Sequence, residues 1–425
     1  MSVTLIDRQE HTLTIQLQIT LTRSLFETEQ VILQTLNQAG ILATTAALEQ
    51  FDTDGAPLQI GQTRYTTKGQ EPKTYQTPYG EASVARHVYQ TAQGGPTFCP
   101  LERDARIILT ATPRFAQQVS HKYAETAGVR VVRDLEANHG RQTSLNVVQR
   151  LAEAVGTAAQ AKEEQWHYAT PKLQAPVRTI SVGLDGTCVL FVDDGHRQAM
   201  VGTVSLYERD GERLHTLYVA ATPEYGKETF YQRLGREIAH VQQLYPHAHL
   251  TGVADGAADN WEFLGQYTTD SCVDFYHATA YLQGAARAAQ PRSFAEREQW
   301  LDERCHRLKH RVGAAREILA ELQELTAREL SESARESLDK AVTYFANQQA
   351  RMDYARRGQA CLPIGSGVTE SACKTIVKMR LCRAGAKWKE QGAAIVLSLR
   401  TLSYTEGRWE QFWAKIDRYG FPVEE

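Results

Sequence analysis

Long apolar runs are what this sequence most conspicuously lacks. No stretch approaches the roughly 18 uncharged apolar residues that a membrane span needs, so no membrane partner is expected. The first ten residues, Met1 to Glu10, hold neither a basic n-region nor an apolar h-region, which argues against a secretory signal. Cysteine is sparse and scattered. The 425 residues contain seven, and none lies within four residues of another, which excludes a Cys-x-x-Cys zinc clasp and suits a reducing cytoplasm. Internal repeats and low-complexity segments are absent. So is any excess of positive charge: the formal net charge is −3, and a nucleic-acid partner would have to be met by a local basic patch. With 23% charged and 42% hydrophobic residues, the balance is that of a globular chain and not a disordered or collagen-like one. At roughly 150 residues per domain, about three domains are expected.

The chain opens with strict alternation. Leu13, Ile15, Leu17, Ile19 and Leu21 share one face of a predicted half-buried strand. Ser24-Leu25-Phe26-Glu27 then reads as a capping box opening a helix with Val31, Ile32 and Leu36 on its inner side. Gly55 to Gly80 reads as turns and short strands, and Gly94-Gly95-Pro96 as a break. Helices are predicted over 115–127, 129–137 and 144–159, punctuated by Gly128 and Gly140. They form either a helix-turn-helix whose Ser144 to Gln149 enter a major groove, or a plain helical hairpin.

Beyond Pro176 the pattern predicts three strands (179–192, 199–207, 214–221), a helix from Glu224 to Leu244, a strand over 250–254, a helix from Ala257, a strand over 272–276 and a helix over 278–289. That order describes an α/β mixed sheet flanked by helices. Charge-rich helices follow over 296–349, with Leu308, Val312, Ile318, Leu319 and Leu322 as a core stripe. His306 and His310 lie one turn apart there beside Cys305, but Arg304, Arg307, Lys309 and Arg311 disfavour a metal cation.

Three acidic residues stand out. Asp185 lies in Val182-Gly183-Leu184-Asp185-Gly186, inside a strand, and Asp255 ends the apolar run Gly252-Val253-Ala254, where α/β sheets place ligand-binding groups. Asp-Gly is also a turn signal, so a purely local role stays open for both. Glu370 follows Gly365-Ser366-Gly367-Val368-Thr369 in the first turn of a helix, where a carboxylate also favours the macrodipole. At 100° per residue Glu370, Ser371, Lys374 and Lys378 share one stripe, while Ala372, Ile376 and Met379 lie opposite. From Lys374 to Arg400 seven basic residues face a single acid, Glu390, giving 7 − 1 = +6. Three carboxylates suit Mg²⁺, and two such ions about 4 Å apart can drive in-line displacement at a phosphodiester. A sheet that sets the first and fourth of the strands beyond Pro176 side by side, with the late helix across them, would let the three acids converge.

At these residues the sequence resembles bacterial insertion-sequence transposases of the DDE type, closest to the Kra-type insertion-sequence family. The matching segments surround Asp185 and Asp255, then run through Val273-Asp274-Phe275-Tyr276-His277-Ala278, Gly365 to Lys374, Arg380-Leu381, Gly385, Trp388, Gly392 to Ala394, Leu397 to Arg400 and Arg408 to Trp413, with weaker similarity from Thr77 to Pro100. The resemblance implies a ribonuclease-H-like core and Asp185, Asp255 and Glu370 as catalytic metal ligands for two Mg²⁺ (or Mn²⁺) ions. It also implies His277 near the scissile phosphate, and Lys374, Lys378, Arg380, Arg383 and Lys387 on DNA phosphates. Trp388 would stack on a base or pack on the sheet. Ser144 and Asn146 would contact DNA from the helical region. The implied activity is hydrolysis at element ends and strand transfer into target DNA, by a homodimer or larger homo-oligomer in the bacterial cytoplasm, at the nucleoid. A ribonuclease-H-like nuclease without strand transfer and a catalytically inactive DNA-binding regulator remain alternatives. The expected organisation is an N-terminal α+β domain (1–100), a helical DNA-binding region (101–175), a first part of the core (176–290), a helical insertion (291–360) and a C-terminal part of the core carrying Glu370 (361–425). The segment 198–202 lacks the charged pair that the family pattern suggests.

Overall fold

A computed structural model describes residues 2–163, 165–223, 227–290 and 292–421. The chain forms two compact units. The first takes Met1–Tyr168, Ser398–Ser403 and Gly407–Glu425; the second takes Ala169–Leu397 and Tyr404–Glu406. The segment 361–425, expected to belong wholly to the core, is therefore divided between them.

In the first unit, β1 (Ser2–Arg8) and β2 (Leu13–Gln18) pair as an antiparallel hairpin, and the alternating strand predicted from Leu13 ends at Gln18. α1 (Leu25–Glu49) starts as its capping box requires, Ser24 Oγ accepting the Glu27 amide at 3.4 Å. Its buried residues are Thr28, Thr35, Ala46 and Leu48, whereas Leu36 is half exposed. α1 is also long and apolar enough, by length and composition, to cross a membrane, although polar residues interrupt its apolar runs. β3 (Leu58–Ile60), β4 (Thr63–Gln76), β5 (Glu81–Thr91) and β6 (Gly94–Phe98) form an antiparallel sheet in that order. The expected short strands thus include one of 14 residues. Gly69, at φ +106°, sits within the register shift that lets β4 bend and stay paired. Gly94-Gly95-Pro96, expected to break the chain, begins the edge strand, where proline costs no ladder bond. After α2 (Pro100–Asp104), helices α3 (Pro113–Glu125), α4 (Gly128–His139) and α5 (Leu145–Glu163) pack on one another close to their predicted bounds. Gly140, left-handed at φ 59°, stops α4. Arg400 of the basic run is interior here, 1% exposed, donating to Ala124 O at 2.7 Å and pairing with Glu125 at 3.2 Å.

The second unit is built on a mixed five-stranded sheet of β7 (Thr179–Phe191), β8 (Gly195–Tyr207), β9 (Arg213–Ala221), β10 (His249–Ala254) and β11 (Asp270–Val273). Their order is β11-β10-β7-β8-β9. β7, β8 and β9 form an antiparallel meander, and β7, β10 and β11 are mutually parallel. Ile180, Val182 and Leu184 face α6 (Glu228–Leu244) and α7 (Ala258–Leu264), whose Phe230, Leu234, Ile238 and Phe263 complete that core. The predicted start of α6 at Glu224 lies outside the described residues. With period-two alternation, Ser181, Gly183 and Asp185 point to the opposite face.

The strand expected over 272–276 stops at Val273, because Asp274 caps α8 (Phe275–Ala289) and the helix begins at once. α9 (Phe294–His310), α10 (Ala314–Leu325) and α11 (Glu332–Gln348) are the charge-rich helices predicted over 296–349, packing on α8 around Leu308, Ile318, Leu322, Leu338 and Phe345. Val312, assigned to that stripe by spacing, falls in the turn between α9 and α10 and is 45% exposed. After α12 (Tyr354–Gln359) come α13 (Gly367–Ala372), a π-helical stretch (Cys373–Lys378) and α14 (Met379–Leu381). The wider π turn shifts the helical phase, so Met379, expected on the buried side, is 51% exposed.

Candidate active site

Strand pairing sets acids from distant parts of the chain on, or just past the ends of, neighbouring strands. β10 aligns with β7 so that Val253 is opposite Gly183, and with β11 so that Ala254 is opposite Val273. Asp185 lies within β7, and Asp255 and Asp274 directly follow β10 and β11. The sheet thus sets the first and fourth strands side by side, as convergence required.

Glu370 reaches the same face because α13 seats on β7 and β8. Gly183 makes that seat: a Cβ there would collide with Thr369 Oγ1, which lies 2.8 Å from Thr203 Oγ1 on β8. One turn beyond Thr369, the Cys373 thiol donates to Asp185 Oδ2 at 3.6 Å. Burial first, then the Asp185 charge, pushes the Cys373 pKa up to about 12, so the thiol stays a donor at neutral pH.

The start of α13 is held from the other side. Arg357, 6% exposed, donates to Thr251 on β10 at 2.8 Å, to Asp270 on β11 at 2.5 Å and to Pro363 O at 3.0 Å. The Phe275 amide donates to Ile364 O at 3.0 Å, and the Ser366 amide and hydroxyl both donate to Asp274 Oδ2. Asp274 Oδ1 accepts the His277 amide at 2.8 Å. Asp274 is fully buried, with most of its lone pairs occupied, and works as a clamp between α8 and α13.

Within this frame Asp274, His277 and Glu370 offer ligand atoms that all lie within 4.8 Å of one another. His277 Nε2 is 3.5 Å from Glu370 Oε1, and both side chains are a little under half exposed. The His277 ring therefore faces the cluster instead of the core. Asp185 and Asp255 do not join this tightest group. Asp255 Oδ1 accepts from the Ala257 amide and Asn260 Nδ2, each at 3.1 Å, and so also serves its local turn. Gly256, at φ +109°, allows that turn, which Tyr344 and Gln348 of α11 hold through the carbonyls of Asp255 and Gly256. The sequence indicated Asp185, Asp255, His277 and Glu370, and missed Asp274 as a working residue. Its signal was present, an aspartate three residues before His277 at a helix start.

Neither a model of any known protein family nor any curated protein matches this chain.

The basic residues divide by environment. Lys374, Lys378 and Lys387 are exposed, the first two on the stripe of Glu370. Arg383 Nε donates to Met379 O at 2.7 Å. Arg380, expected on a phosphate, is only 4% exposed and lies over the Trp388 ring at 4.9 Å. The resemblance set it among the phosphate-binding lysines, but it lies off the stripe of Glu370, Lys374 and Lys378 and packs inward. Trp388 pairs through its backbone with the end of β7, and its indole N–H donates to Leu381 O at 3.0 Å, as the packing reading requires. In the first unit Ser144 Oγ caps α5 by accepting the Val147 amide at 3.2 Å, and Asn146 is exposed beside it.

The donor set fits a divalent cation. Carboxylate oxygens suit Mg²⁺ and Mn²⁺, and an imidazole beside them suits Mn²⁺ better than Mg²⁺.

Proposed function

We propose that this protein is a DNA transposase of the DDE type with a ribonuclease-H-like core, acting in the bacterial cytoplasm as a homo-oligomer on the ends of its own element. The observation that carries the reading is the strand order β11-β10-β7, which sets Asp185 on β7 beside the ends of β10 and β11 that lead into Asp255 and Asp274, with the Glu370 helix packed on β7 and β8. Asp185, Asp255 and Glu370 would hold the cations, with His277 beside Glu370. Divalent ions bound there would polarise the phosphodiester and favour its in-line displacement.

The chain's own groups do the rest. Asp274 and Ser366 fix the helix start, so Glu370 meets the site without reorganising. The Cys373 thiol orients Asp185. Lys374 and Lys378 flank Glu370 and would hold the backbone of the strand being cut, supplying affinity without sequence readout. The helical cluster with Ser144 and Asn146 is the candidate reader of element ends.

The deciding experiment incubates the full chain and Mg²⁺ or Mn²⁺ with a plasmid carrying its coding sequence and flanking DNA. Nicks at defined flanking positions together with joined products support transposition, and Asp185→Asn should abolish both. Nicks without joining would favour the nuclease alternative. DNA binding with no cleavage, unchanged by Asp185→Asn, would favour the regulator.

A further inference from the structure

The helical insertion holds a hollow of about 430 Å³ between α8, α9 and α11, which the mechanism above does not use. Gln283, Gly284 and Arg287 of α8, Phe294 and Arg297 of α9 and Ser337 of α11 line it, with one carboxylate, Glu298, at its side. Among the described residues neither Arg287 nor Arg297 has an ion-pair partner, and Arg297 Nε is buried without a hydrogen-bond partner. A donor left so is costly unless a ligand completes it. Phe294 is 71% exposed with the Arg297 guanidinium 5.9 Å from its ring centre, so a second flat face can stack there. His277, Ala280, Gly284 and Arg287 follow one stripe of α8. Ten residues at 1.5 Å each put Arg287 about 15 Å along that helix from His277.

We propose that this hollow binds one nucleotide of a single DNA strand that continues along α8 from the metal-binding cluster, its phosphate on Arg287 and Arg297 and its base against Phe294. A guanidinium pair matches phosphate oxygens, Gln283 and Ser337 supply further polar contacts, and aromatic stacking tolerates any base. The inference deepens the proposed function and rests on it. Its test avoids cleavage. A 5′-phosphorylated DNA tetranucleotide carrying 2-aminopurine is titrated into the full chain in EDTA, following fluorescence. Wild type should bind and quench the probe. Arg287→Gln and Arg297→Gln should each weaken binding about tenfold. Phe294→Ala, at an exposed position that leaves folding intact, should lose the quench and about tenfold in affinity. Equal binding by all variants, or no binding by wild type, overturns the pocket. If wild type still nicks and joins the plasmid, the transposase reading survives that result; if it does not, both fall.

Discussion

Replacing Gly183 by alanine tests how Glu370 is delivered. The added Cβ would collide with Thr369 Oγ1, on the helix that carries Glu370, and would come within 3.2 Å of Thr203 Oγ1. β7 is a central strand, so α13 must lift. Overpacking of this kind costs about 1–3 kcal/mol, and a site displaced by about 1 Å can lose on the order of a hundredfold in rate. Thr369→Ala removes the clashing oxygen but strands the Thr203 hydroxyl, 2% exposed, whose partner at 2.8 Å is lost. That single change should cost about 1–2 kcal/mol. In the double variant the clash is largely relieved, so the two costs should fall short of additive by about 1 kcal/mol or more. Urea unfolding of the four proteins gives the coupling, and Mn²⁺ affinity shows whether the site recovers with it. Additive costs, or a Gly183→Ala protein as stable and as avid for Mn²⁺ as wild type, would refute this seat for α13.

Three further outcomes follow from particular residues. Cys272 and Cys373 are buried and Cys188, Cys361 and Cys382 exposed, so brief iodoacetamide treatment at pH 8 should label the exposed three and spare the buried two, as peptide mass spectrometry would show. Stability should fall as pH rises through 9, where the unfolded thiol ionises while the folded Cys373 thiol stays protonated up to about 12; Cys373→Ala should lessen that loss. Replacing Lys374 and Lys378 by glutamine should weaken DNA binding without altering sequence preference and reduce the salt slope of log K by about two, since each contacts one phosphate. An unchanged slope would remove both from the interface.

Much of the second unit was legible because its signals are local. Apolar runs ending in an aspartate marked β7 and β10, and a glutamate among small residues marked α13. Strand pairing was not legible, since nothing in the residues of β10 says that β7 is its neighbour; that non-local choice sets the end of β10 beside the strand that carries Asp185. Asp274 was hidden because a residue ending a strand and capping a helix reads as part of either. The π turn has no period of its own in the sequence, and its wider turn exposed Met379 against the helical wheel. Arg357 carries no local signal in the sequence, yet it ties β10 and β11 to the chain leading into α13. In the first unit, Thr28 and Thr35 occupy the inner side of α1 where larger apolar residues were expected, and composition alone does not reveal which side a neighbouring strand will cover.

The central claim is that acids far apart in the chain form one cation site. Mn²⁺ binding to the full protein, followed by electron paramagnetic resonance, tests it most directly. The account predicts saturable binding by wild type, weakened about tenfold or more by each of Asp185→Asn, Asp255→Asn and Glu370→Gln in proteins that remain folded. Binding that survives all three substitutions unchanged would contradict it.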